Sequence, residues 1–309
     1  MRAGPIRFAP EAMTKVWGGR RLAERLGRDI PDGPVGECWE ISSRPEATTR
    51  AITGPRTGAT PDELLGAPFP LLVKTIDAAD RLSVQVHPGA ESAAQLPDAE
   101  SKHELWVVLD VTPGAVLWRG FREGVTRRDV ANASGNGRIA DLLVEIRPRP
   151  GDAIEIPPGT VHAIGPGCLL LEVQESSDTT YRAFDWDRPG LDGHPRQLHV
   201  EEALACFRFG DAGPMLTNFL SNGSGREVLA DSPALTVERF EARPGDRIRF
   251  ADRRVRVVSN VGEGTVRLEG DSLPLRFGDS ALLLPDENEL AVADGKPTRL
   301  LLTSAEMNR

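Results

Sequence analysis

The 309-residue chain has little cysteine: Cys38, Cys168 and Cys206 are all it carries, an odd number with no paired spacing. That pattern excludes a disulfide framework and a thiolate zinc site, and it points to a reducing compartment. Positive charge is also short. Against 46 Asp and Glu stand 37 Lys and Arg, a formal net charge of -9, so broad attraction to nucleic acid or to an anionic membrane is not expected. An anionic substrate would need basic residues placed locally to offset that field. No apolar run approaches the ~20 residues of a membrane span, and the opening MRAGPIRFAPEAM lacks the apolar stretch of a secretory signal. The expectation is a soluble, cytoplasmic protein without nucleic-acid or membrane partners, a monomer or a small homo-oligomer. Glycine-rich loops of the kind that cradle phosphates are missing as well.

What is present is β-structure cut into short pieces. Apolar residues at 39% and charged residues at 27% are the balance of a folded globular chain. Glycine and proline are spread throughout and punctuate apolar runs such as Leu71-Leu72-Val73-Lys74-Thr75-Ile76, Leu105-Trp106-Val107-Val108-Leu109 and Cys168-Leu169-Leu170-Leu171-Glu172-Val173. Short strands between such turn signals read as an all-β sandwich or barrel. A few helices interrupt them. One opens at the capping box Thr60-Pro61-Asp62-Glu63, with Pro at the first helical position. Others are expected over 128–133 and over 200–207, the latter with paired Glu near its start. A Gly- and Ser-rich stretch, 210–226, reads as a linker between a first domain, 1–209, and a β-only second domain, 227–309. The phrase Pro150-Gly151-Asp152 returns as Pro244-Gly245-Asp246, and Phe277-Gly278-Asp279 is close to it. Such repetition hints at two related barrels in tandem.

Four segments carry side chains suited to chemistry. In Gly151-Asp152-Ala153-Ile154-Glu155-Ile156-Pro157-Pro158-Gly159-Thr160-Val161-His162, a Gly-Asp turn leads into a strand, a Pro-x-Gly turn reverses it, and His162 follows on the returning strand. This is the spacing of the second cupin motif, whose histidine points into a β-barrel and binds metal; the plain alternative is an ordinary histidine after a turn. In Ser83-Val84-Gln85-Val86-His87-Pro88, a strand beginning near Leu82 puts Gln85 and His87 on one face and Val84 and Val86 on the other. Two polar side chains on one barrel face need partners or a metal to offset their desolvation. In Ser101-Lys102-His103-Glu104-Leu105-Trp106, the same parity groups Lys102, Glu104 and Trp106 and sends His103 with Leu105 to the opposite face. Glu104 is therefore the better site candidate, although a surface ion pair of Lys102 with Glu104 is the plain alternative. Together Gln85, His87, Glu104 and His162 supply two imidazoles, a carboxylate and an amide oxygen. That set suits zinc, accepts other divalent first-row metals, and leaves coordination positions open for water or substrate. In the fourth segment, Leu171 to Arg182, Glu172 and Gln174 share a strand face and Arg182 follows a polar turn. A solvated strand end with a capped loop accounts for it equally well.

These segments resemble one family. Phe69-Pro70-Leu71-Leu72-Val73-Lys74 running into Leu82-Ser83-Val84-Gln85-Val86-His87-Pro88 is similar to the opening of the class I mannose-6-phosphate isomerase core. Lys102-His103-Glu104-Leu105-Trp106 resembles its Lys-x-Glu-x-Trp segment, and Pro157 to Ala163 and Glu172 to Arg182 resemble the rest. Near the start, Val16-Trp17-Gly18-Gly19 and Gly36-Glu37-Cys38-Trp39-Glu40-Ile41-Ser42 are similar to its Trp-Gly-Gly and Gly-Glu-x-Trp signatures. The match runs from about Phe8 to Phe207, in the order and spacing of the short bacterial form.

The resemblance implies a mainly β protein of two tandem cupin, or jelly-roll, barrels with a few short helices, the first barrel being catalytic. It implies zinc-dependent interconversion of mannose 6-phosphate and fructose 6-phosphate, a phosphorylated hexose as substrate, and one zinc per chain, other divalent metals being possible. It carries the family's metal ligands to Gln85, His87, Glu104 and His162, its active-site arginine to Arg182, its lysine to Lys102 and its active-site glutamate to Glu172. The C-terminal turn Gly278-Asp279-Ser280-Ala281-Leu282-Leu283-Leu284-Pro285-Asp286 has neither the glycine nor the histidine of the motif, so the second barrel is expected to bind no metal. Aldose–ketose isomerisation passes through an enediol, which needs a positioned base and stabilisation of negative charge on oxygen. Glu172 or Lys102 can serve as base, and Arg182 can hold the enediolate oxygen or the phosphate. An isomerase of another aldose, an iron-dependent cupin dioxygenase and a non-catalytic sugar-binding cupin are the competing readings. Lys102, Glu172 and Arg182 beside the ligands weigh against the last two.

Overall fold

The computed structural model describes residues 4–134, 137–210, 216–218 and 226–307. It is mainly β, with five short helices among the described residues. Two antiparallel sheets make the first half. A seven-stranded sheet runs in the order Leu216–Asn218, Asp152–Ile156, Glu104–Val111, Cys168–Glu175, Leu71–Ala78, Glu11–Gly19, Val35–Ile41. A five-stranded sheet runs Tyr181–Phe184, Val84–Val86, His162–Ile164, Leu117–Phe121, Leu143–Ile146. The second half repeats the plan with a five-stranded sheet (Glu227–Asp231, Thr236–Ala242, Thr298–Ala305, Val255–Asn260, Ser280–Leu283) and a three-stranded one (Arg247–Arg249, Glu289–Gly295, Val266–Leu268).

Side-chain alternation decides how these sheets pack. In the run Leu71–Ala78, Leu71 and Val73 face the second half, where they join Leu105, Val107, Leu169 and Leu171 against Val237, Val255, Val257, Leu282 and Leu301. Ile76, Trp106, Val108 and Leu170 point the other way and meet Leu82, Leu117, Ile146 and Ile164 of the small sheet. The large sheet is thus covered on both faces, which is why its central strands read as unbroken apolar runs. The small sheet's outer face, with Val84, Val86, Ala163 and Ala183, is closed by the helices Arg127–Ser134 and Val200–Cys206. No helix among the described residues is long and apolar enough to cross a membrane.

The helices expected at 128–133 and 200–207 are these two, shifted by a residue at their ends. The capping box at Thr60 forms both of its bonds: Glu63 N–H donates to Thr60 Oγ1 at 3.2 Å, and Thr60 N–H donates to the Glu63 carboxylate at 2.8 Å. The strand expected from Leu82 is regular only over Val84–Val86. Leu82 N–H still donates across to Ile164 at 2.8 Å, but its carbonyl turns out of the ladder to accept from the Trp186 indole at 2.6 Å.

The repeated Gly-Asp phrase is one turn used three times. At 149–152, 243–246 and 276–279 the Asp N–H donates back three residues to an Arg carbonyl, at 2.9–3.0 Å. The Asp carboxylate in return accepts that Arg's N–H, at 2.8, 2.7 and 2.9 Å. The third residue of each turn has φ between 81° and 92°, a left-handed conformation that favours Gly in a type II turn.

Most of the 210–226 stretch read as a linker lies outside the described residues; Leu216–Asn218 pairs with Asp152–Ile154 at the edge of the large sheet. The two halves also share a polar seam. Ile6 and Leu282 exchange backbone bonds at 2.8 Å, and the Asp279 carboxylate takes Arg7 at 2.7 Å and Arg28 at 2.8 Å.

Candidate active site

Strand register brings the chemistry to the gap between the first two sheets. Residues directly opposite one another on neighbouring strands put their side chains on the same face. Across the small sheet one such row reads Arg182, Gln85, His162, Arg119. Across the large sheet one row reads Trp39, Lys74, Glu172, Trp106, and another includes Gln174 and Glu104. The rows face a cavity of about 100 Å³ lined by Lys15, Trp17, Glu37, Lys74, Ile76, Leu82, Ser83, Gln85, Lys102, Glu104, Trp106, Ile164, Glu172, Asp178, Thr180, Arg182 and Arg196.

At its inner end His87, Glu104 and His162 converge, all buried, with ligand atoms within 4.8 Å of one another. The His87 and His162 Nε2 atoms lie 3.3 and 3.4 Å from the two Glu104 oxygens. Each imidazole is oriented from behind: Nδ1–H of His87 donates to the Thr179 carbonyl at 2.8 Å, and that of His162 to the Thr160 carbonyl at 2.9 Å. Such second contacts fix the tautomer and leave the Nε2 lone pairs aimed at the cluster. The turn before His162 is tied to the cluster as well, since Gly159 N–H donates to the His87 carbonyl at 2.8 Å. Gly159 has φ +83°, and a Cβ there would sit 2.6 Å from Arg208. Gln85 joins them, its amide Nε2 3.2 Å from His162 Nε2 and its Oε1 accepting from the Ser83 hydroxyl at 2.9 Å.

Whether a metal suits these residues can be judged from their unmet needs. Among the described residues, His87 Nε2 and both Glu104 oxygens are buried without a well-aligned hydrogen bond, Glu104 having only its ion pair with Lys102, a costly state that a divalent ion would relieve. The electrostatics agree. Burial pushes the His162 imidazole down to about 3 and lowers His87 too, the Lys102 charge adding to the latter, so both rings are neutral, the form in which an imidazole can bind a metal. Burial works against an ionised Glu104, yet the Lys102 charge holds its carboxyl well below the usual range. The cluster can hold a metal ion.

Next to it stands a chain of buried charges. Lys102 Nζ is 3.1 Å from Glu104 and 4.0 Å from Glu172; both side chains are buried, which removes the surface ion pair as an explanation. Burial, with repulsion from Glu104 added, pushes Glu172 up to about 7. Arg182 is half-buried, and its Nε is buried without a hydrogen-bond partner among the described residues. His103 goes to the opposite face, as parity requires: its ring nitrogens meet Glu155 and Ser232, each at 3.0 Å, far from any role in the cluster.

Sequence reasoning missed several lining residues. Lys74 Nζ lies 3.7 Å from Glu37 and 3.9 Å from Glu172, 5.0 Å above the Trp39 ring, and Glu37 is held down at about 2 against its burial, chiefly by Lys74 and Lys15. A lysine inside the apolar run 71–76 was the available signal. Asp178, Thr180 and Arg196 sit in loops, where no periodicity marks a face.

Comparison with known proteins accords with this geometry. Residues 6–106 match the family model for the phosphomannose isomerase type I catalytic domain. A mannose-6-phosphate isomerase of Streptococcus mutans is 33% identical over 296 residues, spanning 92% of this chain and 93% of that protein. The chain belongs to the type I mannose-6-phosphate isomerase family. A probable mannose-6-phosphate isomerase of Bacillus subtilis is 37% identical over 85% of this chain and 87% of its own length. The crystal structure of the mannose 6-phosphate isomerase from Bacillus subtilis superposes with a TM-score of 0.80 at 27% identity, covering 97% of this chain and 99% of that one. The family model ends at Trp106, so it spans Gln85, His87, Lys102 and Glu104. The two relatives and the crystal structure extend the family likeness over most of the chain, beyond the reach of that model.

Proposed function

We propose that the chain interconverts mannose 6-phosphate and fructose 6-phosphate by proton transfer through an enediol, with one divalent metal ion per chain. The observation that carries this reading is the meeting, in one cavity, of an unsatisfied His-Glu-His cluster with a buried carboxylate poised near neutrality and a free-standing arginine.

His87, Glu104 and His162 would hold the metal, with Gln85 as fourth ligand once its amide is turned so that Oε1 faces the cluster and Nε2 donates to Ser83. Nitrogen and oxygen donors in this number favour zinc and leave positions for sugar oxygens. When bound, such an ion supplies Lewis-acid polarisation of those oxygens. The residues do the rest. Glu172 is the base: a carboxylate with a pKa near the working pH balances availability against driving force, so it takes the proton from one sugar carbon, exchanges it with solvent and delivers a proton to the neighbouring one. Lys102, held between Glu104 and Glu172, places a positive charge beside the reacting carbons. Arg182, always charged and able to donate twice, stabilises the enediolate oxygen.

We read the sheet pairs as two cupin barrels in tandem, the first spanning 1–209 and the second 227–309. The three cysteines, all free and buried, suit a reducing cytoplasm. A coupled assay with fructose 6-phosphate tests the function: zinc-reconstituted protein should turn over, chelated protein should not, and metal analysis should return about one ion per chain. Full activity without metal, or two ions per chain, would sink the reading.

A further inference from the structure

A chain of net charge -9 that takes an anionic sugar must place cations where the phosphate arrives. Five cationic side chains line the cavity, but three are paired with carboxylates that line it too. Lys15 lies 3.7 Å from Glu37, Lys74 is shared by Glu37 and Glu172, and Lys102 by Glu104 and Glu172. That leaves Arg182 and also Arg196, whose carboxylate partner, Asp185, is not among the residues lining the cavity. Arg182 belongs to the reacting end, since it pairs across strands with Gln85, itself opposite His162. Arg196 comes from the loop that follows Tyr181–Phe184, the edge strand of the small sheet. A hexose 6-phosphate carries its reacting carbons and its phosphate at opposite ends, so with Arg182 assigned to the reacting end the phosphate falls to Arg196.

The loop is built to hold Arg196 still. Asp185 grips it through Nε at 2.7 Å and Nη2 at 2.6 Å, a two-point contact that leaves Nη1 uncommitted among the described residues. Asp185 also takes Arg188 at 3.0 Å, so two guanidinium groups share this one carboxylate. Trp186 and Asp187 both adopt left-handed backbone, with φ of 62° and 53°, a strained pair for residues other than glycine. Packing holds the strain: the Trp186 indole donates to Leu82, Arg81 lies 4.2 Å over its ring, and Pro189 bridges Pro195 across the loop's neck. An arginine fixed in advance loses little freedom when an anion docks.

We propose that Arg196 recognises the substrate's phosphate group and that Asp185 is the residue positioning it. This rests on the reading of the substrate as a phosphorylated hexose, and the test separates the two. On metal-loaded protein, Arg196→Gln should raise KM for mannose 6-phosphate ~10- to 100-fold with far less change in kcat. Its kcat/KM for mannose 6-phosphate should fall at least tenfold more than that for free mannose. Arg196→Lys should recover part of the loss, because an ammonium keeps the charge without the planar fork. Asp185→Asn should raise KM less than Arg196→Gln. Calorimetry with inorganic phosphate decides the point without turnover: wild-type protein should bind it, and Arg196→Gln should weaken that binding by ~10-fold or more. If wild-type protein binds phosphate through Arg196 but does not isomerise mannose 6-phosphate, the isomerase reading falls and the phosphate site stands. Equal losses on phosphorylated and free sugar, or phosphate binding that is absent in wild-type protein or unchanged in the variant, would overturn the proposal.

Discussion

The two halves of this chain solve the same packing problem with different interiors. Each sets two antiparallel sheets face to face and enters a strand by the same Gly-Asp turn. Between the sheets of the second half lie Phe240, Val258, Val266, Leu268, Leu275, Leu283, Leu290, Val292, Leu300 and Leu302, an apolar filling. Between the sheets of the first half, the apolar layer of Ile76, Trp106, Leu117 and Ile164 gives way to Lys74, Lys102, Glu104, Glu172, His87 and His162, all buried. The difference teaches where the stability comes from. Buried charges cost desolvation and contribute little net stability even when paired. The second half, packed through Val237, Val257, Leu282 and Leu301 onto the back of the large sheet, adds apolar contact to the strands that carry them.

That contrast should break most sharply at Glu104. Replacing it with alanine removes a ligand, so metal content should fall to background and turnover by ~10³-fold or more, in line with the several kcal/mol a catalytic ion supplies. Leu302→Ala, at a buried position of the second half, should do the reverse: a loss of ~2–5 kcal/mol in denaturant unfolding, with metal content and kcat per folded molecule intact. If both variants lose metal and stability alike, the halves do not divide their labour this way.

Arg182→Ala sharpens the distinction inside the first half. It should keep stoichiometric metal and a normal melting profile yet lose ~10²–10³-fold in turnover, the usual worth of a charge-stabilising donor. Near-normal turnover would make Arg182 structural.

Acidity gives a smaller, graded effect. Glu172 stands at about 7 through burial and the nearby Glu104 charge, and only its ionised form can act as base. Activity should therefore rise with pH through the neutral range, and kcat/KM should fall about tenfold per unit on the acid side. Glu172→Gln should lose both activity and this limb. For folding the sign is opposite: a carboxyl raised from 4.5 to about 7 binds its proton more tightly in the folded state, so its contribution is lost as pH rises through that window.

How much of this could be read from the sequence depends on whether period or register was needed. Period alone put Gln85 with His87 and turned His103 away from Glu104, because a strand's two-residue repeat is local. It also marked the Gly-Asp turns and the Thr60 cap, whose chemistry lies within four residues. Register was illegible. That Lys74 stands opposite Glu172, or that the large sheet is covered on its far side by Leu282 and Leu301, follows from pairings between distant segments. Leu216–Asn218 joining a sheet edge was hidden for the same reason: a short strand takes its partner from the fold, not from its own residues.

The smallest expected effect tests the period argument itself. His103→Ala leaves Glu155 and Ser232 without their partner and should cost ~1–3 kcal/mol of stability, with metal fully retained. Metal loss equal to that of Glu104→Ala would mean that His103 faces the cluster after all.

The central claim is that a buried carboxylate beside the His-Glu-His cluster moves a proton between sugar carbons. Metal-loaded protein incubated with fructose 6-phosphate in deuterium oxide and followed by proton NMR tests it most directly. The account predicts mannose 6-phosphate carrying deuterium at C2, with incorporation abolished in Glu172→Gln. Product formed with no solvent deuterium in it, or incorporation that survives in Glu172→Gln but stops in Lys102→Met, would contradict the account.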